Sequence, residues 1–592
     1  MLGFLTQTVW SSNPFLVWRC GLVTNTRLSD RRDRGLECTD RFGDPELCKT
    51  WQEQGECDVT DWMLENCQRA CGLCTVDENE DEKFLRIMED IYRYRYREFP
   101  EHGSFVGFHD YDDKLESFTL AAFQRRKVKT EEFIEKLRKL DTKLMSKKNR
   151  REHRILTSYL QAFVDGYRWR KYGPLNSMNF LQGLSRGPQW PYWHRLETSA
   201  DFERYLKRLA AVPTQNRVPE MLQSWRVNEQ FLHPFKDKLH RMRFSKLHRD
   251  KLFNKAMNLM PHISDAINRL KRFMKRDYLN KTRKKPGVHS LPQGLQYYEA
   301  CLKWYLGYDA KAEEVFELGV QEVRRIEKEI KKVMKSVGFR GSLRKFFKHI
   351  ETIQEFYNHT KEQLLERYKS TLDEEIIPQL GKMFYNVSIE PITVQAVERD
   401  GPYGSYGLGT FYVNLKEADK RSTFTIKPLT LHEAYPGHHY QDCYSQHFEI
   451  PLYRAKPLMG RLYSVPFHFP VYTAYAEGWA LYAEYLGEEM GLYHGPYDLF
   501  GRYISEIFRA CRLVVDSGIH AFNWNRTQAI DFLRGYSDFP ESQLEAEVDR
   551  YITAPGQACA YKHSEECKFV SVLLGVISTT YSGHKLFIFK TK

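Results

Sequence analysis

The chain has 592 residues, 28% of them charged, with Lys+Arg 89 against Asp+Glu 77 and a formal net charge of +12. Such a length predicts a large core or about two to three domains. The basic residues interleave with acids in helical patterns such as RRIEKEIKKVMKSVGF, which reads as solvated helix faces. No nucleic-acid motif accompanies them, and no run of about twenty apolar residues occurs, so neither a nucleic-acid partner nor a transmembrane anchor is expected.

In chain order, residues 1–37 come first. They carry an apolar stretch with no basic residue before it and with Arg19 inside it, so they read as an atypical leader rather than a clean signal peptide. Six of the twelve cysteines then crowd into residues 38–74, as Cys38, Cys48, Cys57, Cys67, Cys71 and Cys74. Their spacing, C-x9-C-x8-C-x9-C-x3-C-x2-C, leaves too few apolar residues for an independent core. No histidine lies inside the segment to complete a zinc knuckle, so disulfides made in an oxidising compartment are predicted. Sequons at Asn280, Asn358, Asn386 and Asn525 agree with an extracellular or secretory-pathway location. The cysteine segment resembles an ShK toxin-like (ShKT) module, with its Gly-x-Cys third cysteine and C-x3-C-x2-C ending. That resemblance implies the pairs Cys38–Cys74, Cys48–Cys67 and Cys57–Cys71, which spacing alone leaves open.

The acidic TVDENEDE, residues 75–82, reads as a linker. Beyond it, apolar residues recur at three- and four-residue intervals in FLRIMEDIYRYRYREF, TEEFIEKLRKLDTKLM, DFERYLKRLAAV and AEEVFELGVQEVRRIEKEIKKVMKSV. Residues 83–562 are therefore predicted to be mainly α, with LSRGPQWPYW and TRKKPGVHSLPQG as loops. One strand-like piece, YGLGTFYVNL, precedes a histidine-rich segment and predicts a short sheet beside it.

That segment, LHEAYPGHHYQ, poses a geometric problem. Two histidines four apart on a helix share one zinc ion while an intervening glutamate works on its bound water. Here the position four after His432 is Pro436, and the next histidines are His438 and His439. On a straight helix His438 would point roughly 240° round from His432, and His439 would lie about 10 Å further along the axis. Pro436 and Gly437 permit a bulge or kink that brings a displaced histidine back, with His438 the expected ligand and His439 the alternative. In AYAEGWALYAEYLG, Glu477 sits in an apolar helical run where a carboxylate needs a partner, which a metal would supply. Glu484 follows on the same face as an acceptor for a ligand histidine N–H.

From about Phe84 to Lys562 the chain resembles the domain-of-unknown-function 885 family, grouped with zincin-like metallopeptidases. The resemblance is carried by His432, Glu433, Pro436, Gly437, His438 and Gln441, and by GPLNSMNFLQGL, VFELGVQEVRRIEKEI, GTFYVNL, EGWALYAEYLG, RLVVDSGIHAFNWNRTQAI and RYITAPGQACAYK. It implies a large helical zincin-like domain with His432, His438 and Glu477 as zinc ligands and Glu433 as general base. Tyr551 and His520 are the expected oxyanion donors, with Arg512 and Asp516 orienting them or pairing charges. The strand bearing Gly409, Thr410, Phe411, Tyr412 and Asn414 would bind an extended peptide by strand addition. Residues 563–592 depart from the family's amphipathic helices with an apolar tail lacking helix caps.

Two functions follow as expectations. The first is a secreted zinc metallopeptidase acting on a peptide or protein. The second is a catalytically silent binding protein that contacts a receptor or channel through its ShKT module. The intact His432, Glu433, His438 and Glu477 set favours the first.

Overall fold

A computed structural model describes residues 45–58, 61–67, 70–71, 78–117, 119–172, 190–214, 231–384, 390–399, 401–407, 409–447, 451 and 473–566. The expected leader, Cys38, Cys74, Asn386, the GPLNSMNFLQGL segment and the tail beyond Glu566 lie outside these residues. The chain divides into two units, Met1–Asn79 and Glu80–Lys592.

In the first unit, helices Pro45–Glu53 and Asp61–Asn66 are stapled by Cys48–Cys67 and Cys57–Cys71. Cys48, Met63 and Cys67 are its buried hydrophobic residues among those described, which shows why covalent links stand in for a core here. These are two of the three pairings that the ShKT resemblance implied.

The second unit is mainly helical. Its first helix, Glu80–Glu98, takes up Glu80, Asp81 and Glu82, which the sequence had placed in the linker. Acids in a first turn are favourable because they face the positive end of the helix dipole. They also find partners: Glu80 accepts from the Asp141 N–H at 2.8 Å, and Asp81 from the Ser146 N–H at 3.1 Å. This helix packs with Leu120–Arg138 and Lys147–Gly166 around Phe84, Ile91, Leu137 and Leu156. Ser199–Ala211, His233–Arg241 and Lys246–Phe273 enclose Phe202, Tyr205, Phe235 and Leu252.

At the centre of the unit the helix Ala312–Ser336 lies along the helix Pro496–His520, hereafter the long helix. Their apolar faces, including Ile326, Ile330, Ile507 and Val514, are almost fully buried. The crossing is close because position 319 is glycine: a Cβ there would lie 2.7 Å from the Leu513 Cβ.

A three-stranded sheet, β1 Thr393–Val397, β2 Gly404–Gly407 and β3 Thr410–Asn414, has the order β1-β3-β2. Strand β3 runs parallel to β1 and antiparallel to β2. Phe411 and Val413 of β3 join a core with Leu431, Ala434, Trp479 and Leu486. The sheet thereby lies against the histidine segment.

Candidate metal centre

The histidine segment does not bend through its break; it stops and restarts. A first helix, Ile426–Glu433, ends at Ala434, whose φ of −103° and ψ of −104° are not helical. The Tyr435–Pro436 peptide is cis, and a second helix runs His438–His447. Gly437 serves the break by its lack of bulk rather than by unusual torsions, since its φ is outside the left-handed region. A Cβ at this position would lie 1.9 Å from the His432 carbonyl oxygen and 2.3 Å from that of Leu431. The Trp479 indole N–H holds the turn by donating to the Pro436 carbonyl at 2.8 Å. Gln441 ties the restarted helix to the helix Thr473–Glu489 by donating to the Tyr475 carbonyl at 3.3 Å.

The result is that His432, His438 and Glu477 converge, with one potential ligand atom from each within 4.8 Å of the others. The two imidazoles stand nearly perpendicular, their centroids 4.8 Å apart. Glu477 Oε2 lies 3.4 Å from His432 Nε2 and 3.3 Å from His438 Nε2. It is buried, yet among the described residues it meets the geometry of no hydrogen bond. Two imidazole nitrogens and one carboxylate oxygen facing a common point form a donor set that could hold one metal ion. Burial opposes ionisation of Glu477, but the two imidazoles outweigh it and hold its carboxyl well below the usual range. Burial likewise disfavours charge on His432, and the Glu477 and Glu484 carboxylates outweigh it, lifting that imidazole to about 9. Glu433, also buried, is pushed upward by desolvation against the pull of His432 and His438.

Behind this candidate donor set, His432 Nδ1 lies 2.8 Å from Glu484 Oε1, so the carboxylate stands as an acceptor for a proton on Nδ1. Arg509, on the long helix, approaches the same oxygen at 3.2 Å. Tyr561 lies almost parallel to the His432 ring at a centroid distance of 6.2 Å. Sequence reasoning assigned no role to Arg509 or Tyr561. Tyr561 stands inside RYITAPGQACAYK, so the signal was present without a function attached to it. Arg509 carries no motif, and only the packing of two helices identifies it.

Other expected site residues stand elsewhere. His439, the alternative ligand, turns away: its Nε2 lies 2.8 Å from the Glu390 carbonyl and 3.0 Å from the Tyr435 hydroxyl, and its Nδ1 lies 3.2 Å from the Tyr406 hydroxyl. The helix restarts at His438, so the neighbouring residue must point about 100° away. His520 is not an oxyanion donor here. It is fully buried, its Nδ1 accepts from the Val288 N–H at 3.3 Å, and its Nε2 donates to the Tyr551 carbonyl at 2.9 Å. Desolvation lowers its imidazole to about 3, so the ring stays neutral.

Tyr551 is equally committed, donating to Glu547 Oε2 at 2.8 Å and accepting from Arg512 Nε at 3.1 Å. Arg512 pairs with Glu547 at 3.1 Å rather than with Asp516. Asp516 accepts from the Tyr298 hydroxyl at 2.7 Å and the Gly556 N–H at 2.9 Å, and burial raises its carboxyl to about 7. These four residues form buried scaffolding, and the Arg512 guanidinium rests 4.4 Å from the centroid of the Tyr561 ring.

The strand expected to bind peptide, β3, is hydrogen-bonded on both sides and has no edge to offer. Phe411 is buried in the core. Asn414 clamps its own loop by donating to the Arg399 and Pro402 carbonyls, and the Gly409 N–H donates to the Tyr406 hydroxyl. Thr410 and Tyr412 sit within the same paired strand. Among the described residues the strand edge nearest the histidine helices belongs to β2.

No helix among the described residues is long and apolar enough to cross a membrane. No curated protein matches the chain. Among solved structures it is similar to a candidate lipoprotein from Colwellia psychrerythraea, at 20% identity and a TM-score of 0.69, covering 86% of this chain and 95% of that one. It is also similar to a candidate lipoprotein of unknown function from Shewanella oneidensis, at 15% identity and a TM-score of 0.59, with the same coverages of 86% and 95%. At these identities the likeness concerns the fold. The ShK domain-like family model matches residues 37–74, and the model described as bacterial protein of unknown function (DUF885) matches residues 100–566. With more than half of its length matched, and with the histidine and glutamate helices inside the matched region, the chain belongs to the DUF885 family.

Proposed function

We propose that the chain is a zinc-dependent metallohydrolase of zincin-like type, acting on peptide bonds outside the cytoplasm. His432, His438 and Glu477 would hold the ion. The observation that carries this reading is the convergence of their ligand atoms around a buried Glu477 oxygen that has no hydrogen bond among the described residues. Bound there, zinc supplies Lewis acidity and brings the pKa of a coordinated water to about 7.

The chain's own groups supply the rest. Glu433 immediately follows a ligand and is buried beside the set, and no hydrogen bond ties its carboxylate down among the described residues. It is therefore placed to accept the proton of an attacking water. Glu484 fixes the His432 ring through Nδ1, leaving Nε2 to face the ion. The β2 edge, rather than β3, is the strand that would lie along an extended substrate. Disulfides in the first unit support a secretory-pathway location.

The test measures zinc per chain and cleavage of a peptide library, with Glu433→Gln as the blank. About one zinc per wild-type chain, with cleavage that Glu433→Gln abolishes while retaining zinc, supports the reading. Folded wild type that takes up no zinc ends it.

A further inference from the structure

The long helix contributes a group, Arg509, that meets the Glu484 carboxylate behind the candidate ligand His432. His432 can present the Nε2 lone pair to a metal only if its proton resides on Nδ1, and an acceptor at Nδ1 enforces that tautomer. Glu484 is the acceptor, at 2.8 Å, and it is only 2% exposed. A buried carboxylate needs more than the dipole of one imidazole N–H, because an uncompensated charge out of water is strongly unfavourable. The compensating cation comes from Arg509, whose Nη2 lies 3.2 Å from the same Glu484 oxygen. Arg509 is itself anchored, one turn back on its helix, by donating from Nη1 to the Ser505 carbonyl at 3.0 Å and to the Ser505 hydroxyl. Among the described residues, Glu484 has no other ion-pair partner besides His432 and Arg509. Arg502, on the same helix, turns instead to Glu506 and Glu488.

We propose that Arg509 is a positioning residue for the metal centre, holding the Glu484 carboxylate that fixes the His432 ring, so that its removal weakens metal binding although it ligates nothing. The inference rests on the zinc reading above and extends it to the long helix. A fork-shaped guanidinium reaches Ser505 and Glu484 together, whereas a lysine ammonium is a single point of charge. Arg509→Lys therefore keeps the charge but loses one of the two anchors.

The experiment titrates zinc into the full chain against a chelating dye. The proteins are wild type, Arg509→Met, Arg509→Lys, His438→Ala and Arg502→Met, with thermal unfolding recorded for each zinc-free protein. Arg509→Met is expected to bind zinc about 10- to 100-fold more weakly, the range seen when such outer groups are removed. Arg509→Lys should fall between it and wild type, and Arg502→Met should match wild type. The visible absorption of cobalt-loaded Arg509→Lys should also shift, reporting altered ligand geometry.

If Arg509→Met does not fold, the lysine variant carries the test alone. Wild-type zinc affinity and an unshifted cobalt spectrum in Arg509→Lys, or in a folded Arg509→Met, overturn the positioning role while leaving the zinc site standing. A lowered Tm with unchanged affinity overturns it equally, since it marks a purely structural arginine. Wild type that binds no zinc, or His438→Ala that binds as wild type does, overturns the zinc reading and the inference with it.

Discussion

Replacing Gly437 by alanine would place a methyl carbon 1.9 Å from the His432 carbonyl oxygen and 2.3 Å from that of Leu431, where real Cβ contacts stay beyond 3.0 Å. The chain must therefore open by about 1 Å at the junction of the two histidine helices. Both obstructing atoms are backbone, so no rotamer change relieves the clash. The Trp479 bond to the Pro436 carbonyl resists displacement from the other side. Overpacking costs about 1–3 kcal/mol where neighbours can yield, and about 3 kcal/mol or more is expected here. The same movement separates His432 from His438, and a displacement of about 1 Å is enough to degrade a preorganised site.

The assay pairs urea unfolding with zinc content after dialysis against a weak chelator. Gly381→Ala is the control, because a methyl there meets nothing within 4 Å and should change stability by no more than about 0.5 kcal/mol. Gly437→Ala with wild-type stability and a full zinc complement would refute the argument that close packing, rather than torsional freedom, makes this residue glycine.

Glu477→Gln should abolish zinc uptake. His439→Ala should retain it while losing about 0.5–1.5 kcal/mol of stability, the net worth of a hydrogen bond, because the Glu390 carbonyl loses this partner but still accepts from the Tyr435 hydroxyl. Parallel zinc analysis and unfolding of the two proteins check both statements. His520 has a folded pKa of about 3 against about 6.5 when unfolded. Below pH 6.5 the unfolded chain gains a proton that the folded one refuses, so this contribution is intact above 6.5 and is lost as pH falls toward 3. Asp516, raised to about 7, runs the other way, its contribution present below about 3.8 and lost as pH rises through 7. Comparing wild type with His520→Gln isolates the histidine: between pH 7.5 and 4.5 wild type should lose about 2–3 kcal/mol more than the variant, and equal losses would contradict the assignment. In the first unit, replacing Cys48 and Cys67 by alanine opens a loop of 19 residues and should destabilise that unit by about 3 kcal/mol, measured by its own unfolding transition.

The sequence by itself determined the features that depend on local order along the chain. Helical periodicity, the crowding of cysteines where apolar residues are scarce, and the proline that forbids a regular helix after His432 are all properties of neighbouring residues. They led directly to a mainly helical unit, to disulfides, and to His438 in place of a partner four residues on. Glu477 and Glu484 were legible for a related reason, since charged groups inside an apolar helical run must be satisfied by something.

Only the tertiary structure decided what satisfies them. Arg512, Asp516, His520 and Tyr551 share a helix face or a motif with the chemistry expected of them, but Glu547 for Arg512, Tyr298 for Asp516, Val288 and Tyr551 for His520, and Arg512 for Tyr551 all come from distant segments. Burial in the core commits every proton and lone pair named for His520 and Tyr551. Strand β3 reads as a peptide-binding edge until β1 and β2 are placed on either side of it, because hydrogen bonding between strands is not encoded in any one of them. Arg509 carries no signal at all in its own neighbourhood. It reaches the site because two helices pack so that its guanidinium meets a carboxylate on the other, and that meeting is a property of the assembled core.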